Sequence, residues 1–127
     1  MTRPAVTLLS SWARARQRSF QYAFQGLRRL YRESNARIHA AVTLLVVVLG
    51  CTVELTLLDW VLLALAVTMV WVAEAMNTAL EVLSDAAVPE HNPLIGAAKD
   101  VAAGAVLLAA LGATVVGLLV FVPYLVA

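Results

Sequence analysis

Charge is scarce in this sequence, and an internal disulfide is excluded. Charged residues make up 13% of the 127, about half the share found in an average soluble domain. The single cysteine, Cys51, has no partner within the chain; set in an apolar stretch, it reads as a packing residue. Only one of the nine basic residues, Lys99, lies beyond Arg37. The first 35 residues carry seven arginines and no apolar run of the secretory-signal kind. His91, in PEHNP, has no histidine or cysteine nearby in the sequence, which argues against a metal site there.

Apolar sequence fills the space that charge leaves. Hydrophobic residues are 62% of the chain and the mean hydropathy is +0.87. That is the composition of an integral membrane protein, and the length fits one domain, 1–127. Three segments, 36–53, 60–82 and 101–122, read as transmembrane helices of an all-α protein. Crossing hydrocarbon takes about 20 residues. The third segment, VAAGAVLLAALGATVVGLLVFV, clears that length without a charge. The first is marginal and must draw on interfacial residues. Pro123 is expected to end the third. Between the second and third, Pro89, Pro93 and Gly96 read as loop signals.

Charge placement predicts topology. Arg3, Arg14, Arg16, Arg18, Arg28, Arg29, Arg32 and Arg37 precede or open the first span, and Lys99 lies in the 83–100 loop. The 51–59 link holds Glu54 and Asp59 and no basic residue. The positive-inside rule therefore puts the N-terminus and the 83–100 loop in the cytoplasm of a multi-pass inner (plasma) membrane protein. In the arm, 1–34, Phe20, Phe24, Leu27 and Tyr31 recur at helical spacing, with most arginines on other faces. This predicts an amphipathic helix lying on the inner leaflet, its arginines serving chiefly topology and attraction to anionic lipid.

The second span ends in WVAEAMNTALEVLSD, 71–85. At about 100° per residue, with Glu74 at zero, Asn77 falls near 300°, Glu81 near 340° and Asp85 near 20°. The four polar residues thus share one face. From Trp60 to Ala73 the helix rises about 21 Å, so Glu74 sits in the inner third of the bilayer and Glu81 near the inner headgroups. A charge in hydrocarbon costs at least about 2.5 kcal/mol, so Glu74 needs a partner, a proton or water. Glu33, Asn35, Arg37, His39, Lys99 and Asp100 collect at the same cytoplasmic level. Carboxylates and a lysine at a membrane surface suit Mg²⁺ with nucleotide phosphates. The deeper carboxylate is placed to take a proton from a lipid hydroxyl. Together these describe phosphoryl transfer from a soluble nucleotide to a membrane alcohol. The chain has no Walker A loop: GAAKD, 96–100, has the wrong spacing and no Ser or Thr after the lysine. A small oligomeric ion or proton conduit is the competing reading of the embedded Glu74, and it leaves the cytoplasmic cluster unexplained.

EAMNTALEVLSD, 74–85, and AAKD, 97–100, resemble the prokaryotic diacylglycerol kinase family, small integral membrane lipid kinases that include undecaprenol kinases. The resemblance runs from about Phe20 to Val122. Glu33, Asn35, Arg37 and His39 follow the Gram-positive, undecaprenol kinase type. The resemblance implies an ATP- and Mg²⁺-dependent kinase acting on a lipid alcohol, undecaprenol before diacylglycerol, and forming a homotrimer. It involves no nucleic acid. It implies Glu74 as general base with Asn77 beside it, and Glu33 and Glu81 as ligands of the nucleotide's metal. Lys99 and Asp100 become nucleotide contacts, Tyr22 and Gly26 part of the nucleotide-facing arm, and Asp85 an aid at the cytoplasmic edge. Ala102, Ala103, Ala105, Ala109, Ala110, Gly112 and Ala113 allow the close helix approach that such assembly requires.

Overall fold

The computed structural model describes residues 5–88 and 90–126; Arg3 and Pro89 lie outside the described residues. Four helices follow one another: α1 (Ala5–Leu30), α2 (Ser34–Thr52), α3 (Leu57–Ala87) and α4 (Pro93–Val126). The described residues contain no strand, as the all-α expectation requires. The last three helices are long and apolar enough to cross a membrane. Leu44, Leu65, Leu108 and Leu119 lie exposed on them. Such faces are stable against lipid tails, which are as apolar as leucine. The buried apolar set is correspondingly small: Leu30, Ala36, Leu63, Val70, Val106 and Val120. Most packing runs between α3 and α4, with α2 and α1 each laid against α3.

α2, α3 and α4 alternate in direction, so the bundle has two distinct ends. One joins the end of α1, the start of α2, the end of α3 and the start of α4. The other joins the α2–α3 turn to the end of α4. At that second end Thr56 caps α3. Its Oγ1 accepts from the Asp59 N–H at 3.2 Å, and Asp59 Oδ2 accepts from the Thr56 N–H at 2.9 Å, a reciprocal capping box. The Tyr124 hydroxyl also donates to Asp59 Oδ2, at 2.8 Å. The start of α3 is therefore tied to the end of α4. Beside them, a Cβ added at Gly50 would lie 2.7 Å from the Trp60 ring, so α2 needs glycine where α3 begins.

Several boundaries differ from the sequence reading. Pro93 and Gly96 open α4. A proline in the first helical position loses no helical hydrogen bond, and Asn92 Oδ1 accepts from the Leu94 N–H at 2.9 Å to cap the turn. Pro123 lies inside α4, which continues to Val126; the break falls on the last turn, where one lost bond is tolerated. Cys51 is exposed rather than packed, because it sits in the last turn of α2 on a face that meets no other helix. With 31 and 34 residues, α3 and α4 rise about 46 and 51 Å. Both exceed the ~30 Å hydrocarbon core, leaving turns that project beyond it.

Candidate active site

Glu74 is the largest fully buried side chain described, at 1% exposure. Its Oε2 has no hydrogen-bond partner and faces His39 Nε2 at 3.9 Å. One turn along α3, Asn77 is also buried. Its Nδ2 donates to Glu81 Oε1 at 3.2 Å, while its Oδ1 is unpartnered. An unsatisfied buried polar atom costs about 1–3 kcal/mol. Two such oxygens one turn apart form a site that a proton, a cation or a hydroxyl would relieve. Asn35, His39, Asn77 and Glu81 border a shallow depression closed by Val106 and Ala110 of α4. The stripe expected from helical spacing thus faces inward, except that Asp85 is exposed at its far end.

His39 is braced on two sides. Thr43 Oγ1 donates to the His39 carbonyl at 2.7 Å and accepts from Trp71 Nε1 at 3.1 Å. The Trp71 ring meets the imidazole edge-on at 6.5 Å and stacks on Tyr31 at 6.0 Å. This bracket links the loop after α1 to α2 and α3. The sequence reading placed His39 at the right level but gave it no role in the site, and it did not single out Thr43 or Trp71. A histidine within an apolar helix, at the depth of Glu74, was the available signal.

Glu33 occupies the N-cap position of α2 but makes no capping bond with its side chain. It borders a polar depression with Gln25, Arg28, Arg29 and Arg32. These arginines entered the sequence reading as topology signals; beside Glu33 they also form a group suited to phosphate oxygens. Lys99 pairs with Asp85 across the α3–α4 loop. Asp100 and Tyr22 are exposed. Gly26 borders the seam between α1 and α3 near Ala75 and Thr78. A Cβ there would meet nothing within 4 Å, so no neighbour within the chain requires glycine at that position.

No three His, Cys, Asp or Glu side chains among the described residues converge as a metal site. The donors present are still the right kind for Mg²⁺: carboxylates at Glu33 and Glu81, and an unpartnered amide oxygen at Asn77. Mg²⁺ often takes only one or two carboxylates and completes its shell with phosphate oxygens and water.

Comparison with known proteins places the chain in a family. Residues 21–121 match the prokaryotic diacylglycerol kinase family. The chain is 38% identical over 109 residues to undecaprenol kinase of Bacillus subtilis, covering 85% of this chain and 89% of that protein. It is 39% identical over 101 residues to a diacylglycerol kinase of Synechocystis, covering 78% of this chain and 58% of that longer protein. Against the diacylglycerol kinase of Escherichia coli K12 the identity is 34% over 95 residues, with 74% and 78% covered. The match takes in Glu74, Asn77, Glu81 and their partners on α2 and α4, and the chain belongs to the prokaryotic diacylglycerol kinase family, a family of membrane lipid kinases.

Proposed function

We propose that the protein transfers the γ-phosphoryl group of ATP to the hydroxyl of a membrane lipid alcohol, with undecaprenol as the acceptor and undecaprenyl phosphate as the product. The observation that carries this reading is the buried Glu74, whose unpartnered Oε2 lies one turn from the Asn77–Glu81 pair. In the proposed step Glu74 takes the hydroxyl proton. The alcohol oxygen bonds to the γ-phosphorus, the bond from that phosphorus to the β-phosphate bridging oxygen breaks, and ADP leaves. Asn77 holds Glu81 in place and offers its free Oδ1 toward the reacting groups. Glu33 and Glu81 would hold Mg²⁺, which supplies charge neutralisation on the transferring phosphoryl group. Lys99 and Asp100 contact the nucleotide, with Asp85 setting the position of Lys99, and Tyr22 and Gly26 lie on the surface of α1 that meets it. α1 rests on the inner leaflet of the plasma membrane, and the site opens to the cytoplasm in a homotrimer.

Undecaprenol is favoured over diacylglycerol by the match to the Bacillus undecaprenol kinase, which covers more of both chains than the matches to the diacylglycerol kinases do, and by the Asn35 and His39 pattern at the start of α2. The test is phosphate transfer from labelled ATP by the purified protein, with each lipid supplied separately in the same detergent. Faster labelling of undecaprenol supports the proposal. Faster labelling of diacylglycerol changes the acceptor. Labelling of neither, together with ion flux through sealed vesicles containing the protein, would establish the conduit instead.

A further inference from the structure

An apolar groove runs along the bundle between α2 and α4, with α3 as its floor. Its one end is bounded by His39, Val70 and Ala110, and its other by Leu49, Leu63 and Phe121. His39 belongs both to this groove and to the polar depression holding Asn77 and Glu81, and it faces the Glu74 carboxylate at 3.9 Å. The groove therefore starts where the acceptor hydroxyl must sit and leads away from the polar depression, into the apolar part of the bundle. Its volume is about 360 Å³, within the range of ligand-binding cavities. From Ala110 to Phe121, α4 rises about 16 Å. Over that length, a volume of this size suits a single hydrocarbon chain.

Small side chains create this width. Ala66 lies on the floor, and Ala113 and Gly117 form the α4 wall. A Cβ at Gly117 would meet nothing within 4 Å, so the space beside it is open and no neighbouring atom demands glycine. Apart from His39 at the mouth, the polar residues along the walls are Thr43 and Thr114. The hydroxyls of both donate back to their own helix, to His39 O and Ala110 O. The walls thus offer an apolar chain no unsatisfied donor.

We propose that this groove holds the hydrocarbon chain of the lipid acceptor, with Ala113 and Gly117 setting its bore, and that it thereby selects alcohols bearing a single linear chain over those bearing two. The inference rests on the lipid kinase reading and adds to it a chain-binding site and a basis for acceptor choice. A single-chain alcohol places its hydroxyl at Glu74 and its chain in the groove. A two-chain glycerolipid seats one chain and leaves the second without a channel.

The experiment uses the full-length protein in detergent. Gly117→Leu, Ala113→Leu and a control, Val115→Leu on the exposed face of α4, are assayed with a long polyprenol, a two-isoprene alcohol and diacylglycerol. Wild type should favour the long polyprenol over diacylglycerol. Each groove variant should raise the KM for the long polyprenol about tenfold, roughly the effect of disturbing a few methylene contacts. The KM for ATP and the rate on the two-isoprene alcohol should stay close to wild type, as should Val115→Leu throughout. Circular dichroism and gel filtration report whether each variant is folded. If a groove variant does not fold, Gly117→Val in its place carries the same expectation. Equal KM changes for long and short alcohols, or no change for either, overturn the groove. A wild-type preference for diacylglycerol overturns single-chain selection and leaves the kinase intact. No transfer to any lipid overturns the kinase reading itself.

Discussion

His39 on α2 faces Glu74 on α3 across 3.9 Å, its Nε2 toward a buried carboxylate oxygen that has no hydrogen-bond partner. The two residues are 35 positions apart in sequence, and they join the polar and apolar halves of the site. Replacing Glu74 by Gln keeps the shape and removes the carboxylate proposed as the base. A general base contributes about 10²–10⁴ in rate, so Glu74→Gln should lose at least a hundredfold in kcat while remaining folded. Gel filtration and single-turnover transfer check this together; a folded variant with near-normal kcat would remove Glu74 from the mechanism.

His39→Gln should be milder. Its imidazole lies 3.9 Å from the Glu74 carboxylate, so kcat should fall about tenfold, close to 1.4 kcal/mol at the transition state, with the KM for ATP unchanged. Thr43→Val should move kcat in the same direction by a smaller factor, because it frees the Trp71 Nε1–H that helps brace the imidazole. A parallel rise in the KM for ATP would show that His39 belongs to the nucleotide side.

The Lys99–Asp85 pair separates stability from function. Asp85 is 70% exposed and Lys99 32%, and exposed ion pairs contribute about 0–1 kcal/mol. Lys99→Met should therefore leave the unfolding midpoint nearly unchanged. It should raise the KM for ATP about tenfold, because phosphate loses a cation. Thermal unfolding beside an ATP titration checks both halves.

Much of this arrangement was legible in the sequence because helices have a fixed period. Glu74, Asn77 and Glu81 fall on one face by counting, and the three spans follow from apolar runs. What escaped were features that depend on a neighbouring helix. His39, Thr43 and Trp71 form one bracket only after α2 lies against α3, which no periodicity within either helix reveals. Proline misled twice for a local reason. Pro93 and Pro123 read as punctuation, whereas the first turn of a helix tolerates proline outright and the last turn loses little to it. Asp59 read as a loop acid; its capping bonds are with Thr56, three positions away, but its role as acceptor for Tyr124 depends on a residue 65 positions away.

If the proposed mechanism holds, transfer should depend on a divalent metal. With oxygen donors at Glu33, Asn77 and Glu81 and no cluster of three metal-binding side chains among the described residues, Mg²⁺ should be held mainly together with ATP. EDTA should abolish transfer, and Mg²⁺ should restore it without refolding the chain. Glu81→Gln should raise the Mg²⁺ concentration needed for half-maximal rate about tenfold. Unfolding of the apo protein on chelation would instead mark the metal as structural.

Gly50 gives a prediction that isolates packing from catalysis. It lies at the end of the bundle opposite Glu81 and Lys99, where an added Cβ would stand 2.7 Å from the Trp60 ring and 3.0 Å from a Leu55 methyl. The indole is rigid, so relief requires rotating it or moving α2 away from α3. Overpacking of this kind costs about 1–3 kcal/mol, and Gly50→Ala should lower stability by that amount, with Gly50→Val lowering it further. Because the Asp59–Tyr124 bond ties the same end together, Tyr124→Phe should also lower the unfolding midpoint. Neither Gly50→Ala nor Tyr124→Phe touches the Glu74 site, so the KM for ATP should stay at the wild-type level in the folded fraction. Denaturation in mixed micelles measures the first effect and initial rates measure the second. A change in the KM for ATP would mean that this end of the bundle is coupled to the site rather than only supporting it.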